Sequence, residues 1–145
     1  MRNGPALSLS IQGRTRFADL PARATLARWI RAALVRDARL TVRFVDAREG
    51  RQLNRDFRAK DYAPDVLTFS YSARPTVDAD IVICVPALRR EARARRTPAH
   101  EHLAHVIVHA TVHALGQHHE NAGAARKMES HERKILASLG KRDPY

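Results

Sequence analysis

His109, His113 and His119 are the residues of this 145-residue sequence best placed to do chemistry. The stretch His109-Ala-Thr-Val-His113-Ala-Leu-Gly-Gln-His-His119 sets two imidazoles four residues apart, one above the other on the same face of a helix. Gly116 stands where that helix would end on a left-handed residue, and the turn it allows can bring His119 back toward the first pair. Three neutral imidazoles with a fourth position open form the ligand set of a catalytic zinc, whereas a structural zinc is usually closed by four protein ligands. One zinc ion per chain is therefore the expected cofactor. His118 is the rival to His119 for the third position. His105, one turn before His109, reads as a core or supporting residue, and His100, His102 and His131 read as solvated or hydrogen-bonded side chains.

The same spacing fits the zinc-protease signature H-E-x-x-H-x-x-G-x-x-H, except that Ala110 replaces the glutamate. Alanine can neither take a proton from water nor return it to a leaving amine. A metalloprotease-like hydrolase would need a carboxylate from elsewhere, with Glu120 and Glu129 as candidates. A third reading is a non-catalytic ribosome- or RNA-binding protein in which zinc staples the helix to its turn. A closed four-ligand site including His118 would mark that case.

The charge balance points to the substrate class. With 26 basic residues against 15 acidic ones, the formal net charge is +11, which favours polyanionic partners. Only Lys60, Lys127, Lys134 and Lys141 of those 26 are lysine, and arginine forks suit bidentate phosphate contacts. Arg89, Arg90, Arg93, Arg95 and Arg96 crowd one short segment. Cys84 is the single cysteine, so no intramolecular disulfide framework exists. The first residues lack the apolar core of a secretory signal, and no apolar run approaches the ~20 residues of a spanning helix. A cytoplasmic protein with no membrane association is the expectation.

The elements that must position these residues follow from their periodicity. Leu7, Leu9 and Ile11 alternate with serines as a strand, and Asp19 with Pro21 is expected to open a helix carrying Leu26, Trp29, Ile30, Ala33 and Leu34. Leu40, Val42 and Phe44 make a second strand. Asp46 and Glu49 resemble a capping box for a helix that buries Leu53 and Phe57. Val66 to Tyr71 reads as a third strand, Ser72 to Asp78 as a loop, and Ile81 to Val85 as a buried strand stopped by Pro86. The arginine-rich segment is expected to be helical. Pro98 starts a long helix to about Leu115, and a final helix spans Ala122 to Leu139, ended by Gly140. A single domain over residues 1–145 is expected, with a mixed, mainly parallel four-stranded sheet, about five helices and the histidine helix packed on it.

Four segments together resemble the YbeY family of bacterial endoribonucleases. The histidine stretch is similar to H-G-x-L-H-L-x-G-Y-D-H at His109, His113, Gly116 and His119. Leu53-Asn54, Phe57-Arg58-Ala59-Lys60-Asp61 and Asp65-Val66-Leu67-Thr68-Phe69 resemble L-N-x-x-Y/F-R-G-K-D-x-P-T-D-V-L-S-F. Ala79-Asp80-Ile-Val-Ile-Cys84 resembles G-D-I-V-I-C, and Met128-Glu129 with Glu132 resembles M-E-x-x-E. Ala59 and Ala110 stand at family glycines, Ala63-Pro64 at the Pro-Thr pair, and Gln117-His118 at the Tyr-Asp pair before the last ligand. Carboxylates commonly orient ligating imidazoles, so His118 at an aspartate position would support the third ligand differently.

The resemblance implies an α+β, zincin-like domain with zinc on His109, His113 and His119. It implies cleavage of single-stranded RNA in ribosomal RNA maturation and ribosome quality control, with rRNA, the ribosome or a small-subunit ribosomal protein as partners. It also places Arg58 at a functional arginine of the cleft. On this reading Arg58 and His113 are catalytic, and Arg58, Lys60, Arg89, Arg93 and Arg96 bind RNA.

Overall fold

A computed structural model describes residues 4–117 and 120–145. Its element order is β1 (Leu7–Gln12), a 3-10 turn (Arg14–Arg16), α1 (Arg23–Ala33), β2 (Ala38–Val45), α2 (Ala47–Arg58), β3 (Val66–Ser72), β4 (Val77–Cys84), α3 (Val85–Ala94), α4 (Ala99–Ala114) and α5 (Ala122–Ser138). The sheet order is β1-β2-β4-β3: β1 with β2 and β2 with β4 are parallel, and only the edge strand β3 is antiparallel to its neighbour. The expected mixed, mainly parallel four-stranded sheet with five α-helices is thus the fold, α+β in class.

Alternation along the strands divides the packing between two faces. Leu40, Val42 and Phe44 of β2 and Ala79, Ile81 and Ile83 of β4 join α1, α4 and α5 in the main core, around the fully buried Trp29, Ile30 and Ile107. Val82 and Cys84, on the opposite side of β4, pack with Leu67 and Leu53 in a smaller cluster under α2. Cys84 is a buried hydrophobe here, as its apolar strand predicts.

Several boundaries differ from the sequence-based expectations for local reasons. Asp19 does not cap α1: it sits in a left-handed conformation at φ 63, and the helix starts at Arg23 without a side-chain cap. The expected loop from Ser72 to Asp78 shrinks to four residues, because β3 includes Ser72 and β4 begins at Val77. Pro86 does not simply stop β4; it lies in the first turn of α3, where its missing N–H costs nothing. Arg95 and Arg96 fall beyond α3, and Arg96 has φ 52. Only half of the capping box forms: Asp46 accepts from the Glu49 backbone N–H at 2.9 Å, while the Glu49 carboxylate turns to Arg16 and Arg43. Phe57 is not core. It is 67% exposed, edge-to-face with Phe69 at 5.5 Å between centroids.

Two backbone positions are under opposite constraints. Gly13 has φ 76, and a Cβ there would collide with the Phe44 carbonyl oxygen at the end of β2. Gly13→Ala is therefore expected to cost about 2 kcal/mol or more, measured as a fall in chemical-denaturation stability. Ala59 ends α2 in the left-handed region at φ 56, with its N–H on the Arg55 carbonyl and the Lys60 N–H on that of Asn54. This is the geometry that glycine adopts without a steric penalty. Ala59→Gly, at an exposed site, is expected to raise stability by about 0.5–1 kcal/mol in the same measurement, the relief of strain outweighing the added chain entropy.

Candidate active site

α4 is buried from His102 to Ala114 at every position except His109 and His113, which are half-exposed. Mostly apolar residues on the other sides fix the helix by packing, and the i,i+4 pair opens onto its accessible stripe. Gly116 ends the helix at φ 104, as the sequence predicts, with its N–H on the His113 carbonyl at 3.0 Å. Arg36, at the end of the α1–β2 connection, donates to the carbonyls of Leu115 (3.1 Å) and Ala73 (3.2 Å), so a cation neutralises the helix C-terminus. Gln117 Oε1 lies 3.1 Å from His131 Nδ1, tying the turn to α5. His119, the expected third ligand, and its rival His118 lie outside the described residues. Among the described residues no group of three His, Cys, Asp or Glu side chains is arranged to hold a metal ion.

Behind the histidine pair stands a fully buried carboxylate. Glu132 of α5, with no exposed side-chain surface, has Oε2 2.9 Å from His109 Nδ1 and Oε1 3.4 Å from His105 Nε2. Tyr145 donates its hydroxyl to Glu132 Oε1 at 2.7 Å and lies 3.1 Å from His105 Nε2. Burial pushes the Glu132 carboxyl up, but hydrogen bonds from His105, His109 and Tyr145 outweigh it and hold the group at about 2, so it is ionised at neutral pH. The Tyr145 phenol is displaced upward, by burial first and then by its bond to Glu132. A carboxylate can only accept, so His109 Nδ1 carries a proton, which leaves Nε2 as the nitrogen that a metal would take from the neutral ring. Two half-exposed imidazoles on one helix face, one of them held by a carboxylate, are donors of the kind that zinc takes.

The Arg58 motif is organised around α2 and the loop that follows. Asn54, buried, donates from Nδ2 to the Tyr62 carbonyl at 3.0 Å, and Arg51 grips Asp61 with two bonds of 2.7 and 2.9 Å. Asp65 then reaches α4: its carboxylate is 3.3 Å from His102 Nε2. Burial raises the Asp65 carboxyl, and His102 and the Val66 N–H more than offset it, leaving the group below its usual range. Arg58, exposed at the end of α2, spends one donor on the Thr68 carbonyl of β3 at 3.1 Å. Lys60 is exposed just beyond it. β3 also packs against α4, so one strand links the Arg58 segment to the histidine helix.

The arginine-rich segment separates into two sides. Arg89 is half-buried and donates to the Ala18 carbonyl at 2.5 Å, and Arg93 lines a groove with Asp19 and His100. Arg95 and Arg96 line a different cavity, together with His102 and His105. Glu129, one of the candidate protease bases, shares a cavity of about 250 Å3 with His109, whereas Ala110 is fully buried in the main core. The sequence reading missed Arg36 and Tyr145. Neither carries a local signal, because the partners of Tyr145 are 13 and 40 residues away.

Removing the Tyr145 hydroxyl leaves Glu132 buried with one donor fewer. Tyr145→Phe is expected to lower unfolding stability by about 1–3 kcal/mol in a denaturant titration, with the secondary structure unchanged by circular dichroism.

The family described as Endoribonuclease YbeY matches residues 14–140. The chain is 49% identical over 146 residues to the Endoribonuclease YbeY of Delftia acidovorans, covering 96% of this chain and 95% of that one. It is 51% identical to that of Acidovorax sp. strain JS42, again covering 96% and 95%. The solution structure of TM1509 from Thermotoga maritima superposes with a TM-score of 0.56 over 91% of each chain at 20% identity, a likeness of fold. No helix among the described residues is long and apolar enough to cross a membrane. With a family match over most of its length and relatives near half identity, the chain belongs to the YbeY endoribonuclease family.

Proposed function

We propose that this chain is a zinc-dependent endoribonuclease specific for single-stranded RNA, acting in the cytoplasm in ribosomal RNA maturation and ribosome quality control. Its partners on this reading are rRNA and the ribosome or a small-subunit ribosomal protein. One zinc per chain would be held by His109, His113 and His119. The observation that best supports the metal is the bond of 2.9 Å between His109 Nδ1 and the buried Glu132 carboxylate, which sets the tautomer a ligand needs.

When bound, zinc would supply Lewis acidity for water or a phosphoryl oxygen at neutral pH without a glutamate at position 110. The protein's residues do the rest. Arg58 keeps donors beyond the one used on Thr68, and its fork suits a bidentate grip on the scissile phosphate, offsetting charge that develops on its oxygens by about 3 kcal/mol. Glu132 accepts from His109 Nδ1 and keeps the ring from rotating. Lys60, Arg89, Arg93 and Arg96 supply phosphate contacts along the strand, with Arg89 acting from its anchor on Ala18.

The test is metal analysis combined with cleavage of a single-stranded RNA by wild type, His113→Ala and Arg58→Ala proteins. His113→Ala is expected to lose both zinc and activity. Arg58→Ala is expected to keep its zinc and lose about 100-fold in rate. Cleavage that survives both substitutions would overturn the mechanism, and peptide hydrolysis by the same samples would favour the protease reading through Glu129.

A further inference from the structure

Two cavities beside the histidine helix share a wall. One, of about 440 Å3, has Arg95, Arg96 and Arg142 on its rim; the other, of about 210 Å3, reaches His109 and Tyr145. Arg95, His102 and His105 line both, so the two form one trough running from the arginines to the candidate metal site. Its walls come from three parts of the chain: the segment after α3, the side of α4 that carries His102, His105 and His109, and the tail after α5 that Tyr145 anchors on Glu132.

The charges along the trough are unevenly matched. Its acidic groups already have partners: Asp65 lies 3.3 Å from His102, Glu101 lies 3.9 Å from Lys141 and accepts the Arg142 backbone N–H at 3.4 Å, and Asp143 is paired with Arg133 at 3.1 Å. Arg95 is paired with Glu91 at 2.9 Å. Among the described residues, Arg96 and Arg142 have no ion pair. Arg96 is also exposed and held at φ 52 by the turn that closes α3, a conformation that costs a non-glycine residue about 1 kcal/mol. A concave, basic channel ending at a hydrolytic centre has the form of a track for a polyanionic strand.

We propose that this trough carries the backbone of the RNA flanking the scissile bond, with Arg96 and Arg142 binding its phosphates and Arg95 beside them exchanging Glu91 for RNA. The inference rests on the nuclease reading and gives it a direction: the strand leaves the metal site along His105 and His102 toward the end of α3. Contacts to phosphates carry no base information, so the trough strengthens binding equally for all sequences.

The experiment measures binding of labelled oligo-U and oligo-A to wild type, Arg96→Ala, Arg142→Ala, the double variant and Arg28→Ala, across a range of salt, alongside cleavage kinetics. Arg28 is an exposed arginine of α1 outside the trough. Each trough substitution is expected to weaken binding of both oligonucleotides about 3- to 10-fold at low salt and to reduce the salt slope by about 0.7. KM should rise with kcat within about twofold, and Arg28→Ala should match wild type. Thermal melts confirm that these surface variants fold. If wild type cleaves RNA and the double variant keeps its affinity and salt slope, the trough is wrong and the nuclease reading stands. An equal loss from Arg28→Ala also overturns it. If wild type binds without cleaving and the trough variants bind more weakly, the trough stands and the nuclease reading falls.

Discussion

An ionised carboxylate with no exposed surface organises this molecule's working end. Glu132 can be buried only because His109, His105 and Tyr145 satisfy it, and leaving such a charge without its partners would cost several kcal/mol. The requirement runs both ways. By demanding donors from α4 and from the tail, Glu132 fixes the rotation of α4 about its axis, the docking of α5 and the path of residues 139–145. The same bonds orient His109 and close one wall of the trough beside it. A fold requirement and a site requirement are thus met by one side chain.

The rest of the architecture delivers α4 to that carboxylate. Parallel pairing of β1, β2 and β4 places α1 on the face that α4 shares, and the antiparallel β3 returns the chain so that the segment after Arg58 ends at Asp65, against His102. Asn54 and the Arg51–Asp61 pair hold that segment in shape. The exposed ion pair contributes little to stability; its effect is to limit where Arg58 and Lys60 can go. The catalytic candidates thus stand on a helix locked by packing and at the end of α2, before a loop locked by hydrogen bonds.

What the sequence made legible was periodic or local. The strand alternation of β2, the i,i+4 histidines and the glycine stop at 116 each follow from a few neighbouring residues, and each is present in the structure. Where expectation failed, a distant partner or a neighbouring residue decided. Phe57 has the helical spacing of a core residue, but α2 buries only Gly50 and Asn54, so its ring remains on the surface against Phe69. Asp19 has the chemistry of a cap, yet Pro21 and the left-handed turn before it move the helix start to Arg23. Tyr145 and Arg36 act across tens of residues, beyond any window of pattern. The family motifs carried the Arg58 segment, for which periodicity had nothing to say.

The departures at 110 and 59 can be weighed the same way. Ala110 is fully exposed to nothing: it lies in the main core, beside the pair of histidines in sequence but turned about 100° from His109 on the helix. A glutamate there would have to push its carboxylate among apolar residues or displace α4 from the sheet, either of which costs several kcal/mol. Peptide hydrolysis on the zinc-protease plan is therefore opposed by packing as well as by the missing residue. Ala59 departs differently, since its methyl group points to solvent and the cost is confined to its own φ. The chain can carry that strain because the Arg55 and Asn54 carbonyls still receive their hydrogen bonds, so the turn that presents Arg58 survives the loss of its glycine.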